Sequence, residues 1–125
     1  MMTEKIFGDW LERYLRPQEN SDPETVPELF ANDGVYWWGP YNEPRKGAEA
    51  IYAHHKNALS HQEEIKYSYE ILATTEEYGL AKVNLTLKDL TPNSPGEYEC
   101  IFKVYLNSEN KCTLFQEWCM WPGQQ

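Results

Sequence analysis

Apolar side chains near the start of the chain recur every three to four residues. They are Ile6, Phe7, Trp10, Leu11, Tyr14 and Leu15. This spacing is typical of an amphipathic helix that buries one stripe of its surface. Thr3 can cap such a helix, and a proline inside it would remove a backbone hydrogen bond. We therefore predict a first helix over about 4–16 that Pro17 ends.

Two shorter helices are predicted next. Thr25–Glu28 has the spacing of a capping box, with its proline in the tolerant first turn, and this predicts a second helix to about Ala31. A start at Asp22 would instead place that proline where its missing N–H costs a helical hydrogen bond. The pattern predicts an Asn-Asp-Gly turn at 32–34, then a short aromatic strand and a proline-rich loop. A third helix is predicted over about 47–61.

The rest of the chain alternates apolar and polar residues and is rich in valine, isoleucine, threonine and aromatics, as strands are. Four strands are predicted, over about 66–75, 79–90, 97–107 and 111–120, and hairpin turns separate them. Helices followed by an antiparallel meander predict an α+β domain. Its three N-terminal helices would pack on a strongly curved, mostly antiparallel sheet and leave a pocket between the two layers.

The size and charge of the chain limit its partners. Its 125 residues, 41% of them hydrophobic, can bury one sizeable core, so we expect a single domain over 1–125. Apolar residues left over on the outer face of the sheet favour a homodimer. The formal net charge of −9 disfavours binding to nucleic acid. Without an apolar run of roughly 20 residues or a signal peptide, we expect a cytoplasmic protein that does not contact membranes.

The cysteines and histidines do not have the spacing of a metal site. Cys100, Cys112 and Cys119 are odd in number and contain no Cys-x-x-Cys pair, so we expect three reduced, mostly buried thiols. Adjacent helical histidines such as His54 and His55 point about 100° apart, which disfavours shared coordination of a metal. No cofactor is expected.

Two motifs carry a resemblance to a known family. They are Phe30-Ala31-Asn32-Asp33 and Glu43-Pro44-Arg45-x-Gly47, within a match that runs from Tyr14 to Ile51. On these residues the chain resembles the SnoaL-like and ketosteroid-isomerase-like domains of the nuclear-transport-factor-2-like superfamily. The resemblance implies a cone-shaped α+β barrel. It does not imply one activity, because this fold hosts enzymes, transport adaptors and binding proteins.

Among these relatives, the ketosteroid isomerases use a carboxylate base, an oxyanion-binding tyrosine and a second, protonated carboxyl group. The resemblance places the tyrosine at Tyr14, which matches. It places the base at Trp38 and the second carboxyl near Phe102, neither of which can do that chemistry. We therefore do not expect ketosteroid isomerase activity, and whether the protein is an enzyme at all stays open.

The same resemblance suggests a different set of site residues. Tyr14, His54 and Glu117 would converge as catalytic groups, since a histidine beside a carboxylate is a workable acid–base pair. Tyr14 and His54 also have ordinary explanations, as a core tyrosine and a partly exposed helix residue, and His55 is interpreted as packing along the apolar stripe. The expected ligand-binding residues are Trp10, Phe30, Tyr36, Trp38, Tyr98, Phe102, Phe115 and Cys119.

Two strand orientations decide what this pocket contains. Glu117 alternates with Phe115 and Cys119 and is expected to face inward, whereas a register slip would turn Trp118 inward instead. For strand 79–90, hydrophobic burial predicts that Val83 faces the pocket, whereas the resemblance predicts that Lys82 does. An apolar pocket wall would imply a hydrophobic ligand. A polar wall would imply a ligand that carries a carboxylate or carbonyl group.

Three functions are compatible with these residues. The first is binding of a small hydrophobic or aromatic molecule in an aromatic-lined pocket. The second is a lyase or isomerase that uses His54 with Glu117 and Tyr14. The third is a non-catalytic oligomerisation or partner-binding module whose own side chains fill the pocket. A cavity well below roughly 300 Å³ would favour the third.

Overall fold

A computed structural model describes residues 2–123 of the chain. It contains three helices and six strands. The helices are α1 (Glu4–Glu19), α2 (Val26–Leu29) and α3 (Ala48–Leu59). The strands are β1 (Phe30–Trp37), β2 (Arg45–Lys46), β3 (Gln62–Thr74), β4 (Tyr78–Asp89), β5 (Glu97–Leu106) and β6 (Cys112–Met120). None of the helices in this range is long and apolar enough to cross a bilayer.

The six strands form one mixed sheet in the order β2-β1-β6-β5-β4-β3. Every neighbouring pair is antiparallel except β1 and β6, which run parallel. The two edge strands, β2 and β3, do not pair with each other, so the sheet is not closed into a full barrel. The predicted α+β class, with helices on a mostly antiparallel sheet, is confirmed.

The first helix begins as predicted but ends later. Thr3 Oγ1 accepts a hydrogen bond from the backbone N–H of Ile6 at 3.1 Å, which caps the helix. The prediction that Pro17 ends it is wrong, because the helix continues to Glu19. Proline at this position affects only the final turn, where the Gln18 side chain also donates a hydrogen bond to a helix carbonyl.

The region around the second helix departs further from the predictions. Thr25 has helical backbone angles and its side chain makes no capping bond, so the predicted capping box is absent. The helix ends at Leu29 rather than Ala31, because Phe30 already has extended angles and begins β1. Residues 32–34, predicted as a turn, lie inside this strand.

A register shift in β1 explains how a turn-like sequence fits into a strand. Phe30 pairs with Cys112 and Val35 pairs with Leu114, so β1 contains extra residues relative to β6. At Gly34, which lies in the irregular stretch, an added Cβ would lie 2.9 Å from the carbonyl oxygen of Cys112. The close approach of the two backbones therefore requires glycine at this position.

The hydrophobic core lies between α1 and the concave face of the sheet. The apolar stripe of α1 is buried there: Phe7, Trp10, Leu11, Tyr14 and Leu15. On β4, Ala81 and Val83 face this core, whereas Lys82 faces outward and lies near Glu70 and Glu99 at 3.8 and 3.9 Å. Hydrophobic burial therefore decides the orientation of β4, against the register that the resemblance favoured.

The prediction of three reduced thiols is wrong for two of the cysteines. Cys100 and Cys119 form a disulfide, because β5 and β6 pair so that these residues stand directly opposite with Cα atoms 4.0 Å apart. The spacing along the chain does not reveal this pairing. Cys112 remains a free, buried thiol, and burial raises the pKa of its thiol.

Candidate functional site

A cavity of about 530 Å³ opens beside the core, where α1 and α3 face β1, β4, β5 and β6. Eight of the eleven predicted site residues line it. They are Tyr14, Tyr36, Trp38, His54, Tyr98, Phe102, Glu117 and Cys119. Leu85 and Leu87 of β4 add an apolar wall. The volume exceeds the roughly 300 Å³ at the lower end of small-molecule sites.

Three predicted ligand-binding residues lie behind this wall. Trp10, Phe30 and Phe115 are at most 2% exposed and belong to the core rather than to the cavity lining. Trp10 stacks on Tyr14 with ring centroids 5.1 Å apart and donates a hydrogen bond to the Leu29 carbonyl at 3.2 Å. The alternation of β6 continues past Phe115, so Glu117 and Cys119 face inward as expected and Trp118 faces outward.

Tyr14 is paired with His55, a residue interpreted from the sequence as ordinary packing. The Tyr14 hydroxyl and His55 Nε2 are 2.8 Å apart, and His55 Nδ1 lies 2.8 Å from the carbonyl oxygen of Ile51. A carbonyl only accepts, so Nδ1 carries the ring proton and Nε2 accepts from Tyr14. Burial lowers the pKa of His55 to about 4, which keeps the ring neutral near pH 7.

Glu117 is paired with Tyr36, whose hydroxyl group donates to Glu117 Oε1 at 2.5 Å. Glu117 keeps partial exposure, as expected for a residue in the cavity wall. Burial nevertheless raises the pKa of its carboxyl group to about 7, and the hydrogen bond from Tyr36 opposes that rise only in part. Glu117 therefore exchanges a proton near neutral pH, in the range where general acids and bases work best.

The two pairs lie close enough to influence each other. Burial and then the charge of Glu117 raise the pKa of Tyr14 well above its usual range. The Tyr36 ring also packs against the His55 ring at 4.8 Å between centroids. Glu117–Tyr36 and Tyr14–His55 are thus two neighbouring hydrogen-bonded pairs in contact through their rings.

His54 lies at the cavity but has a different partner. Its Nδ1 accepts a hydrogen bond from Arg45 Nε at 3.4 Å, and its ring packs on Trp38 with centroids 4.7 Å apart. Burial and the charge of Arg45 lower its pKa to about 4. Among the hydrogen bonds of residues 2–123, none joins His54 to Tyr14 or Glu117. The three residues of the predicted triad thus belong to three separate hydrogen-bonded pairs.

This arrangement determines which ring nitrogen of His54 carries the proton. Because Nδ1 accepts from Arg45, the neutral ring carries its proton on Nε2. No residue in the described part of the chain accepts that proton, so it is available to a ligand. Trp38, at the position of the isomerase base, donates its own N–H to the Glu43 carbonyl at 3.1 Å and presents its ring to the cavity.

Sequence reasoning missed two features of the site. The role of His55 was hidden because Ile51 and His55 share one helical face, which reads as apolar packing. The hydroxyl group of Tyr36 was predicted only as part of an aromatic wall. The sequence gives no signal for either role, because His55 and Tyr36 each depend on a partner that folding brings from a distant segment.

One cluster within residues 2–123 combines ligand atoms suited to a metal. The sulfur atoms of Cys100 and Cys119 and a carboxylate oxygen of Glu117 all lie within 4.8 Å of one another. Because the disulfide bonds the two sulfur atoms to each other, the oxidised chain offers a metal only the carboxylate.

No protein-family model matches the chain, and no curated protein matches its sequence. Solved structures match its fold. One is SalBIII, an epoxide hydrolase/cyclase-like enzyme with a role in pyran ring formation in the polyether salinomycin. It is 14% identical, with a TM-score of 0.78 over 96% of this chain and 95% of that one.

Two further structures carry the ketosteroid isomerase name or fold. A steroid delta-isomerase from Pseudomonas aeruginosa is 15% identical, with a TM-score of 0.70 over 96% of this chain and 83% of its own. A hypothetical protein with a ketosteroid-isomerase-like fold from Catenulispora acidiphila, in complex with trimethylamine, is 14% identical. Its TM-score is 0.77 over 94% of this chain and 86% of its own. The chain therefore has the cone-shaped α+β fold of these structures, known as the nuclear-transport-factor-2-like fold.

Proposed function

We propose that the protein is a lyase or isomerase that binds a small, largely apolar molecule in the cavity and transfers a proton through Glu117. The observation that carries this proposal is the Glu117 carboxyl group itself. It lies in the cavity wall, is held at Oε1 by the Tyr36 hydroxyl, and has a pKa raised by burial to about 7. A carboxyl group in this state can both accept and return a proton near neutrality.

The cavity walls indicate the class of substrate. Leu85, Leu87 and Phe102 provide apolar surface, and Trp38 and Tyr98 add aromatic rings. Flat, apolar molecules gain most from such a lining, because rings stack on them with little loss of side-chain entropy.

His54 complements Glu117 as a hydrogen-bond donor. Its Nε2–H is free for a substrate oxygen, and the nearby Arg45 charge favours donation. We assign it to hold a carbonyl or similar oxygen while Glu117 moves a proton on an adjacent carbon. Tyr14 acts as a positioning residue, because its own proton is committed to His55.

A purely binding function is the second candidate, supported by the same apolar walls. One experiment separates the two. A panel of cyclic ketones would first be screened by quenching of tryptophan fluorescence, since Trp38 and Trp121 line the cavity. Ketones that bind would then be incubated with the protein in deuterated water, and exchange at the carbon beside the carbonyl followed by NMR.

We expect catalysed exchange in the wild type and a loss of at least about a hundredfold in Glu117→Gln. Glu109→Gln, a change in the exposed turn between β5 and β6, is the matched control and should leave exchange unchanged. Saturable quenching without exchange would instead support the binding function. Absence of both binding and exchange would contradict the proposal.

A homodimer remains part of this proposal. The outer face of the sheet presents Trp118, Met120 and Leu72, which are 38%, 49% and 49% exposed. Large apolar side chains on one face are typical of a surface that a second copy covers.

A further inference from the structure

The cavity wall also contains a bond that proton transfer does not use, the disulfide between Cys100 and Cys119. We propose that this disulfide is a site of thiol exchange, at which a small thiol entering the cavity attacks Cys119 and Glu117 supplies the proton to the departing Cys100 sulfur. This inference is separate from the proposed ketone chemistry and requires only that the cavity admit a small thiol.

The two sulfur atoms differ in access. Both cysteines line the cavity, but Cys119 keeps partial exposure, whereas Cys100 on β5 is 0% exposed. A thiolate can therefore approach Cys119 Sγ more readily than Cys100 Sγ. Attack on Cys119 makes Cys100 the leaving group, and its thiolate would form in a buried place where a charge is costly.

Glu117 lies where it can neutralise that thiolate. Its Oε2 is 3.6 Å from Cys119 Sγ, and its carboxylate and both sulfur atoms lie within 4.8 Å of one another. The other carboxylate oxygen is held by Tyr36, so loss of the proton leaves a carboxylate that already has a hydrogen-bond donor.

The exchange balances in two steps. In the first, a thiolate forms a bond with Cys119 Sγ, the bond between the two cysteines breaks, and Cys100 receives the electron pair and the Glu117 proton. In the second, another thiolate attacks the sulfur of the bound small molecule and releases Cys119, which is then protonated from solvent. Two small thiols are oxidised to their disulfide and the protein disulfide is reduced to two thiols.

Reduction of the disulfide would in turn change the protonation of the Glu117 carboxyl group. The Cys119 sulfur carries no hydrogen in the disulfide, but as a thiol it can donate to Glu117 Oε2 across the same gap. A donor to the carboxylate favours its ionised form. The oxidation state of the disulfide thus controls how readily Glu117 holds a proton.

The test uses 2-mercaptoethanol, a small neutral thiol, and the folded, oxidised protein. Intact-mass measurements after acid quenching would follow formation of the mixed disulfide, and peptide mapping would locate it. We expect the adduct on Cys119. Glu117→Gln should slow its formation at least about tenfold at pH 6, since the proton donor is lost. Cys112→Ser should react at the wild-type rate, because Cys112 lies outside the disulfide.

A pH profile of the wild type keeps the test decisive if Glu117→Gln fails to fold. Corrected for the thiolate concentration, the wild-type rate should fall as pH rises through about 7, where Glu117 loses its proton. An adduct on Cys100, a rate that does not depend on Glu117 by either measure, or reduction only after unfolding would overturn the proposal. So would three freely alkylated cysteines in the untreated folded protein.

Discussion

The Tyr14 hydroxyl group donates to His55 Nε2 at 2.8 Å, and this bond joins α1 to α3 at the inner end of the cavity. Both residues are at most 4% exposed, so the bond is largely shielded from bulk solvent. The bond therefore fixes the ring proton of His55 and the position of the Tyr14 hydroxyl together.

Removing either member of this bond should destabilise the protein. Tyr14→Phe leaves His55 Nε2 buried without its donor, which should lower the free energy of unfolding by about 1–3 kcal/mol. In a double-mutant cycle with His55→Phe, the double variant should lose less than the sum of the single variants, by about 1 kcal/mol. Urea unfolding would measure these differences. Tyr41→Phe, at a residue that is 99% exposed, serves as the control, and strict additivity would contradict the coupling.

The raised pKa of Glu117 predicts how stability depends on pH. Between about 4.5 and 7, the unfolded chain releases the Glu117 proton while the folded chain keeps it, so the folded state binds more protons. This group therefore lowers stability as pH rises through that window, by roughly 1.4 kcal/mol per pH unit. Above pH 7 the loss is complete.

Glu117→Gln removes this penalty. Relative to wild type, the variant should gain stability between pH 4.5 and pH 7, and the difference should then stay constant. Urea unfolding of both proteins at pH 4.5, 6 and 8 would measure it. A difference that does not change with pH would show that the carboxyl group titrates alike in the folded and unfolded chains.

Arg45 should influence the titration of His54. Burial is the larger cause of the lowered pKa of His54 and the Arg45 charge is the smaller one. Arg45→Gln should therefore raise the pKa of His54 while leaving it below the usual 6.5. NMR titration of the ring protons would measure the change. Lys56→Gln, an exposed change on the same helix as His54, should have no comparable effect. An unchanged pKa of His54 in Arg45→Gln would contradict the pairing.

The outer face of the sheet predicts a dimer that single charges disrupt. Trp118→Lys and Met120→Lys each place a charge in the proposed interface and should shift the protein to monomer in size-exclusion chromatography. Leu90→Lys is the matched control, since Leu90 is 56% exposed and lies just beyond β4. A wild-type protein that elutes as a monomer at all concentrations would exclude the interface.

The sequence predicts most of this fold because the spacing of apolar residues along a helix or strand is a local property. The stripe from Phe7 to Leu15 and the alternation around Phe115 specify a helix and a strand wherever they occur. Residues 32–34 were misjudged because an Asn-Asp-Gly sequence favours a turn, and only the pairing of β1 with β6 converts it into an irregular strand. Pro17 does not end α1, because a proline disrupts few helical hydrogen bonds when only two helical residues follow it.

The candidate site was harder to predict than the fold. Tyr14, His54 and Glu117 do lie at one cavity, yet their hydrogen-bond partners are His55, Arg45 and Tyr36. Partner choice depends on the angle between α1 and α3 and on distances of a few ångströms, and hydrophobic patterning is insensitive to both. The cysteine pair was missed for the same reason, because its closeness comes from the register between β5 and β6.

The position of β6 has a consequence for the order in which the chain folds. Within residues 2–123, β6 is the last strand to be synthesised, yet it alone connects β2 and β1 to β5, β4 and β3. Until it emerges from the ribosome, β3 to β5 can form only a sheet with an open edge, and β1 lacks its main partner. The cavity, whose walls come from both sides of β6, therefore closes only after nearly the whole described chain has been made.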